Sequence, residues 1–150
     1  MTKRTLEFTF ERIIPAETEE VYDAWLDPTI PGNPWHESDK LILNPEVDGL
    51  FYWRHPGGTA HFGRFTTTER GALLQHTWMS PSTLGEESLV TVTFKKKGGD
   101  TVMTLVHSDL PDAEVARSHE RGWNYFLGLF SDKFVVAASD DGNPSVGPSI

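Results

Sequence analysis

The chain has 150 residues, of which 37% are hydrophobic and 11% aromatic, enough for one domain with a substantial core. Its formal net charge of −9 argues against a nucleic-acid partner, because binding to a phosphate backbone depends on clustered Lys and Arg. The absence of cysteine excludes disulfides, thiolate metal sites and a cysteine nucleophile.

Neither a membrane span nor a secretion signal is predicted. No apolar run approaches the roughly 18 residues that a spanning helix needs. The first ten residues lead directly into a strand pattern and contain no hydrophobic signal region. We therefore expect a cytoplasmic protein.

The N-terminal part predicts one strand followed by a short helix. Residues 5–14 alternate apolar and polar side chains, which is typical of a half-buried strand. Residues 16–26 follow a proline, share an apolar face and carry three glutamates in their first turn, as the helix dipole favours. Three prolines, Pro28, Pro31 and Pro34, keep the next stretch from forming a long helix.

Six further strands are predicted between this segment and the C-terminal part. Tight-turn residues such as Arg70-Gly71 and Gly98-Gly99 separate them, which favours antiparallel neighbours. The predicted strands are residues 39–44, 50–55, 60–68, 72–79, 88–96 and 100–108.

Residues 111–138 predict one long helix of about 40 Å with a strongly aromatic face. Apolar side chains recur there at intervals of three and four residues, so they share one face. Such a stripe is too large to face water and needs a broad apolar partner, for which a curved sheet is the candidate. The members of this stripe are Ala116, His119, Trp123, Phe126, Leu127, Phe130, Phe134 and Ala137.

The element order predicts an α+β helix-grip fold. In this fold a curved antiparallel sheet of about seven strands wraps around the long C-terminal helix, with a short helical insertion after the first strand. We expect a single domain over residues 1–138 and a flexible tail over residues 139–150, whose composition is typical of disorder.

The turns also predict which side chains face the helix. A three-residue loop at 56–58 and a two-residue turn at Arg70-Gly71 set the alternation of inward and outward positions. The predicted inner face is mainly apolar and contains three histidines. Its members are Phe51, Trp53, His61, Gly63, Phe65, Leu74, His76, Trp78, Val90, Val92, Phe94, Met103, Leu105 and His107.

Several short segments, in this order along the chain, resemble a known family. They are Arg12-Ile13-Ile14-Pro15-Ala16, Glu20–Trp25, Trp35, Asp48-Gly49-Leu50-Phe51, His61-Phe62-Gly63, Leu74–Trp78, Val90–Phe94, Asp100-Thr101, Leu105–His107 and Gly122-Trp123. The chain is thereby similar to the SRPBCC (START-like) superfamily, and within it to the branch of activator of heat-shock-protein-90 ATPase homologues. The similarity spans about residues 8–134.

This resemblance implies a helix-grip (START-like) fold with a hydrophobic cavity between helix and sheet. One departure is Asp48-Gly49, which stands where the family usually has paired glycines. The resemblance does not extend to the additional N-terminal domain of the co-chaperones, so the family name alone does not imply their activity.

The expected ligand-binding residues are those of the inner sheet face and the helix stripe that would line such a cavity. They are Phe51, Trp53, His61, Phe65, His76, Trp78, Phe94, His107, His119, Trp123, Phe126, Leu127 and Phe130. Large aromatics are also ordinary core material, so for these side chains packing and ligand contact remain alternatives.

Catalytic and metal-binding signals are weak. His61, His76 and His107 could meet in the cavity as metal ligands or as a general acid and base, but no spacing typical of a metal motif accompanies them. Arg54 and Arg64 are candidate anion contacts at the sheet rim. We predict no metal and no cofactor, and the sequence assigns no catalytic residue.

Three functions follow as hypotheses. The first is a binding protein for a small hydrophobic or aromatic molecule, including a lipid. The second is a cyclase- or hydrolase-like enzyme that uses the cavity histidines, which we favour less than a binding protein. The third is a chaperone-associated protein whose partner is a chaperone ATPase. The oligomeric state stays open, with a homodimer as one alternative.

Gly122-Trp123 gives the most specific structural prediction. Trp123 should be buried near Trp78 or His107 and form part of the cavity wall. Glycine costs a helix about 1 kcal/mol relative to alanine, so Gly122 predicts a close approach of the helix backbone to the sheet.

Overall fold

The computed structural model describes residues 6–142, and the side chains of residues 6–135. Residue 5, the side chain of Ala137 and residues 143–150 of the predicted tail lie outside this part. No helix in the described part combines the length and apolarity that crossing a bilayer requires.

Seven strands and two α-helices make up the described chain, close to the predicted bounds. The strands are β1 Leu6–Ile14, β2 Lys40–Leu43, β3 Leu50–Arg54, β4 Ala60–Glu69, β5 Leu73–Trp78, β6 Ser88–Lys97 and β7 Asp100–Leu110. The helices are α1 Thr18–Trp25 and α2 Ala113–Gly142, and a short 3-10 helix covers Pro81–Thr83. Helix α2 therefore continues four residues beyond the predicted end at 138.

The strands form one antiparallel sheet in the order β1-β7-β6-β5-β4-β3-β2. Strands β2 to β7 follow one another as a meander, and β1 closes the sheet beside β7. The curved sheet and the long C-terminal helix confirm the predicted α+β helix-grip fold.

The predicted inner face is correct, although one turn differs. Trp53 pairs with His61 across β3 and β4, as the loop prediction requires. The loop after β4 contains three residues rather than two, since Glu69 pairs with Leu73. A bulge between Phe65 and Thr67 compensates for the extra residue, so the side chains of β5 keep their predicted faces.

Helix α2 lies with its aromatic stripe against the concave side of the sheet. The Asp112 carboxylate accepts a hydrogen bond from the Val115 backbone N–H at 2.9 Å, which caps the helix as expected for an aspartate at this position. Trp123, Leu127 and Phe130 are fully or almost fully buried. The described part of the stripe is thus core-facing, as the sequence period predicts.

The proline-rich segment after α1 forms part of the core rather than a surface loop. The Trp35 indole N–H donates to the Trp25 carbonyl at 3.0 Å. The Asn33 amide donates to the Ala24 carbonyl within α1 and to the Asp27 carbonyl just after it. A Cβ atom on Gly32 would lie 2.3 Å from the backbone N of Phe130. Only glycine lets this segment approach α2 so closely, and its φ of +100° also favours glycine.

Asp48 takes the conformation that a glycine would usually take at this position. Its φ is +68°, and its carboxylate accepts a hydrogen bond from Arg64 at 3.0 Å. A Cβ atom on the next residue, Gly49, would lie 2.1 Å from the Asn44 carbonyl oxygen. One glycine and one left-handed aspartate therefore provide the turn into β3.

Candidate functional site

A cavity of about 410 Å³ opens between α2, strands β3 to β5 and the adjoining loops. The 3-10 segment, the loop before β2 and the loop after β3 contribute to its polar rim. Its lining comprises Glu37, Trp53, His55, His61, Trp78, Ser82, Ser118, His119, Arg121, Gly122, Trp123, Tyr125 and Phe126.

Stacked and edge-on aromatic rings form the inner wall of this cavity. The rings of Trp53 and His61 stack with centroids 4.7 Å apart, and the Trp78 ring lies 4.9 Å from His61. Trp123 lies 5.2 Å from Trp78, and Phe126 closes the group from the helix side. Each of these rings contacts at least one other, so the rings of the wall support one another.

Trp123 is buried and contacts both predicted neighbours, Trp78 and His107, so this prediction is confirmed. Its indole N–H donates to Nδ1 of His107 at 2.9 Å. On the other side of the ring, His107 Nε2 lies 2.7 Å from the Ser88 hydroxyl oxygen, and that hydroxyl donates to the Trp78 carbonyl at 2.7 Å. One hydrogen-bonded chain thus connects α2 with β7, β6 and β5.

This chain determines the protonation of His107. Nδ1 must accept from the Trp123 N–H, and the single Ser88 proton is already donated, so the ring proton sits on Nε2 and His107 is neutral. Burial lowers the pKa of His107 well below its ordinary value, and the neighbouring His119 lowers it further. His107 therefore positions Trp123 and Trp78, and neither of its nitrogens is free to contact a ligand.

His76 also belongs to the core and not to the cavity lining. Its Nδ1 donates to the Thr77 carbonyl at 2.9 Å, and the rings of Phe51 and Phe65 lie 5.1 and 5.3 Å away. Burial lowers the pKa of His76 to about 4. Two of the three histidines expected to act as acid, base or metal ligand are thus enclosed in the core.

His61 on the sheet and His119 on the helix stripe do line the cavity. His119 Nδ1 donates to the Val115 carbonyl at 2.9 Å, one turn earlier in the helix. His61 Nδ1 is enclosed and, like the indole nitrogen of Trp78, has no hydrogen-bond partner among the described residues. Such unsatisfied buried atoms cost about 1 to 3 kcal/mol each, and the Trp25 indole nitrogen, outside the cavity lining, is a third example among the described residues.

Both cavity histidines are neutral at pH 7. Burial, together with smaller contributions from the nearby His119 and His55, lowers the pKa of His61 to about 4. Burial also lowers the pKa of His119, although its hydrogen bond to Val115 opposes the shift.

The thirteen expected ligand-binding residues thus fall into two groups. Six of them line the cavity: Trp53, His61, Trp78, His119, Trp123 and Phe126. The remaining seven are buried behind this wall or elsewhere in the core: Phe51, Phe65, His76, Phe94, His107, Leu127 and Phe130. Whether the first group binds a ligand remains a prediction.

Arg54 and Arg64, the candidate anion contacts at the sheet rim, do not line this cavity. Arg54 is exposed at the end of β3, and Arg64 points to the outer face of the sheet, where it pairs with Asp48. Among the described residues that line the cavity, the arginine is Arg121, which the helical period places among polar outward residues. His55 and Glu37 at the rim were also missed, because loop residues give no periodic signal.

The prediction that Gly122 marks a close approach of α2 to the sheet was wrong. A Cβ atom built on Gly122 would meet no described atom within 4 Å, so no close approach to the sheet requires this glycine. The residue lines the cavity instead. Its missing side chain leaves space at the cavity rather than allowing tight packing.

A second cavity of about 400 Å³ lies on the outer side of β2 to β5, next to the exposed side chains of Ile42, Leu50 and Phe62. No histidine is among the described residues that line it. Within the described residues, no three His, Asp or Glu side chains are grouped so that they could hold a metal ion.

Comparison with known proteins places this architecture in a family. A family model described as "Activator of Hsp90 ATPase homolog 1-like protein" matches residues 15–132. No curated protein sequence matches the chain.

Solved structures of similar fold share little sequence. Protein CV1439 from Chromobacterium violaceum superposes with a TM-score of 0.72 at 20% identity, covering 85% of this chain and 96% of that one. An Hsp90 activator from Plasmodium falciparum gives 0.69 at 21% identity, with 82% and 91% covered. The Aha1 dimer from Colwellia psychrerythraea gives 0.69 at 16% identity, with 86% and 96% covered. At these identities the similarity establishes the fold.

Proposed function

We propose that this chain, which belongs to the family of Activator of Hsp90 ATPase homolog 1-like proteins, is a cytoplasmic protein that binds a small hydrophobic or aromatic molecule between α2 and the sheet. The observation that carries this proposal is the cavity of about 410 Å³ beside a wall of tryptophan and phenylalanine rings. Sites for small molecules usually measure about 300 to 1,000 Å³ and combine apolar walls with few polar groups.

The wall and the rim have different chemical roles in this proposal. Trp53, Trp78, Trp123 and Phe126 offer flat apolar surface, which favours a ligand with rings or a short apolar chain. The polar groups at the rim orient the ligand. The hydrogen-bonded chain through His107 keeps Trp78 and Trp123 in place, so little ordering entropy is lost on binding.

Thermal unfolding with a ligand panel tests the proposal. The panel contains fatty acids, flavonoids and polyketide-like aromatics, and tryptophan fluorescence follows occupancy. A ligand at 100 times its Kd stabilises the folded state by about 2.7 kcal/mol, which raises the midpoint by roughly 5 to 10 °C in a domain of this size. No shift and no fluorescence change with any class would contradict the proposal.

Gly122 provides a variant that blocks the cavity without disturbing the fold. In Gly122→Leu the new side chain enters open space beside the cavity, and the helix gains propensity, so folding is preserved while binding is lost. Gly128→Leu is the matched control, because Gly128 is on the same helix, also has open space at its Cβ position, and does not line the cavity. If both variants bind the ligand with the same affinity, the ligand does not occupy this cavity.

An enzyme acting on a cyclic or polyketide-like substrate is the second candidate, and the pair His61 and His119 supports it. Both side chains line one cavity, as a general base and acid would. Product formation from a panel ligand, followed by mass spectrometry and lost in His119→Phe, would favour this candidate over simple binding.

A chaperone ATPase as partner, and a homodimer, are the alternatives that the family description and the dimeric structural neighbour support. Charge-dependent capture of such an ATPase should weaken steeply as salt shortens the Debye length from about 10 to 3 Å. Failure to recover the ATPase at low salt would count against this alternative. Sedimentation of the purified chain would decide between monomer and dimer.

A further inference from the structure

Among the polar groups that line the cavity, His119 and His61 are an acceptor and a donor whose identities follow from the structure. His119 Nδ1 must carry the ring proton, because its partner, the Val115 carbonyl oxygen, can only accept. The neutral ring therefore has an unprotonated Nε2. This atom has no partner among the described residues and is not enclosed, so His119 presents an acceptor to the cavity.

His61 has the opposite polarity. Its Nδ1 is enclosed without a partner, and a proton there would be a buried N–H with nothing to accept it, which is rare in folded proteins. The proton is better placed on Nε2, the nitrogen with access to the cavity. His61 therefore presents a donor, and its ring is fixed by stacking on Trp53.

Both side chains are more than nine-tenths buried, with 9% of His61 and 8% of His119 exposed. Burial disfavours their charged forms, so the pair offers dipoles rather than a positive charge to a ligand. The charged groups Glu37 and Arg121 lie at the exposed rim, where water weakens their effect.

We infer that the cavity selects an uncharged, planar aromatic molecule bearing a carbonyl group that accepts from His61 and a hydroxyl group that donates to His119. This inference rests on the proposed ligand-binding function and specifies its ligand class. The aromatic wall that includes Trp53, Trp78 and Phe126 favours the ring system, because the Trp78 and Phe126 rings are inclined by 47° and 67° to Trp53 and offer it both ring faces and ring edges. The two histidines fix its orientation. Among the described lining residues, Arg121 lies at the exposed rim, so a carboxylate between the two histidines would be far from a cation of this set.

A matched set of naphthalene probes tests the inference. The first is a hydroxynaphthyl methyl ketone, with hydroxyl and carbonyl at opposite ends of the rings. The second is its methyl ether, which cannot donate, and the third is an ethylnaphthol, which has no carbonyl. A naphthoic acid is the charged comparison. Affinities are measured by calorimetry, and thermal unfolding verifies that each protein variant is folded.

The wild-type protein should bind the hydroxy ketone about three- to tenfold more tightly than either the ether or the ethylnaphthol, the range expected for one neutral hydrogen bond. His119→Phe should abolish the preference over the ether, and His61→Phe the preference over the ethylnaphthol. His119→Gln and His61→Gln should each retain part of the preference, because glutamine can accept or donate near the Nε2 position. His36→Phe, at an exposed histidine outside the cavity, should keep both preferences.

The outcomes separate this inference from the proposed function. Equal affinity for the three neutral probes, or tighter binding of the naphthoic acid, would overturn the inference while leaving ligand binding intact. Loss of both preferences in a single histidine variant would overturn the assignment of donor and acceptor. Binding of none of the probes would overturn the inference together with an aromatic version of the proposed function.

Discussion

Acidification should destabilise this protein well above the pH at which carboxylates titrate, and His76 allows the effect to be measured. The side chain is 1% exposed among aromatic rings, and burial lowers its pKa from an ordinary 6.5 to about 4. The unfolded chain therefore binds a proton more readily than the folded one. The contribution of His76 to stability is complete above pH 6.5 and is lost as the pH falls from there towards about 4.

The size of the effect follows from the difference in pKa. A separation of about 2.5 pH units is equivalent to roughly 3 kcal/mol, of which about 2 kcal/mol is lost between about pH 7 and pH 5. His61 has a similar shift and adds a loss in the same direction. The general decrease in negative charge on approaching the pI of about 5.0 acts in the opposite direction, so the wild-type curve alone does not isolate the histidines.

Urea unfolding of the wild-type protein and of His76→Leu at pH 7 and pH 5 isolates the contribution. The packing cost of the substitution is the same at both pH values and cancels, so the loss on acidification should be about 2 kcal/mol smaller in the variant. His36→Leu, at an exposed position away from these aromatic rings, should lose as much stability on acidification as the wild type. If His76→Leu loses as much stability as the wild type, the buried neutral histidine is not the cause and the reasoning is wrong.

Three further substitutions test the packing that supports the cavity. Trp123→Ala should cost about 3 to 5 kcal/mol in urea unfolding, because it removes a buried ring and the donor to His107; a loss below about 1 kcal/mol would contradict its place in the core. Gly32→Ala should lower the free energy of unfolding by more than about 1 kcal/mol, since its φ is +100° and the new Cβ would meet the Phe130 backbone, and an unchanged free energy of unfolding would refute this close approach. Arg70→Ala should change stability by less than about 1 kcal/mol despite its bonds to Asp23 and Glu19, because all three side chains are more than half exposed; a larger loss would show that this network is structural.

The local pattern of apolar and polar residues was sufficient to predict the order of the helices and strands and the face that each of them buries. Strand alternation and the helical period identified the buried side chains of β3 to β7 and of α2, because both periods are fixed by backbone geometry. The turn after β4 shows why this information is robust. The loop is one residue longer than predicted, but the bulge near Thr67 restores the register that burial of one face demands.

The same periodicity could not separate cavity wall from core. Trp78 and Phe65 both point inwards, yet only Trp78 reaches the cavity, because this depends on how far α2 and the loop residues lie from each strand. Gly122 and Gly32 illustrate the point from the backbone side. The sequence suggested close packing at Gly122, but this residue borders open space. Gly32 lies in a segment without periodicity, and there the backbone does come close to α2.

The chemistry of the histidines was likewise decided by tertiary contacts. The sequence shows six equivalent imidazoles, and it grouped His61, His76 and His107 on one inner face. Partners from distant strands and from α2 then made His107 a positioning residue and enclosed His76, while His119 joined His61 at the cavity. Composition and periodicity therefore determined the helix-grip fold of this protein, because burial of apolar surface depends on local pattern. The donors, acceptors and open space of its cavity were determined only by the three-dimensional arrangement, because hydrogen bonds and voids depend on which residues meet across the sheet and the helix.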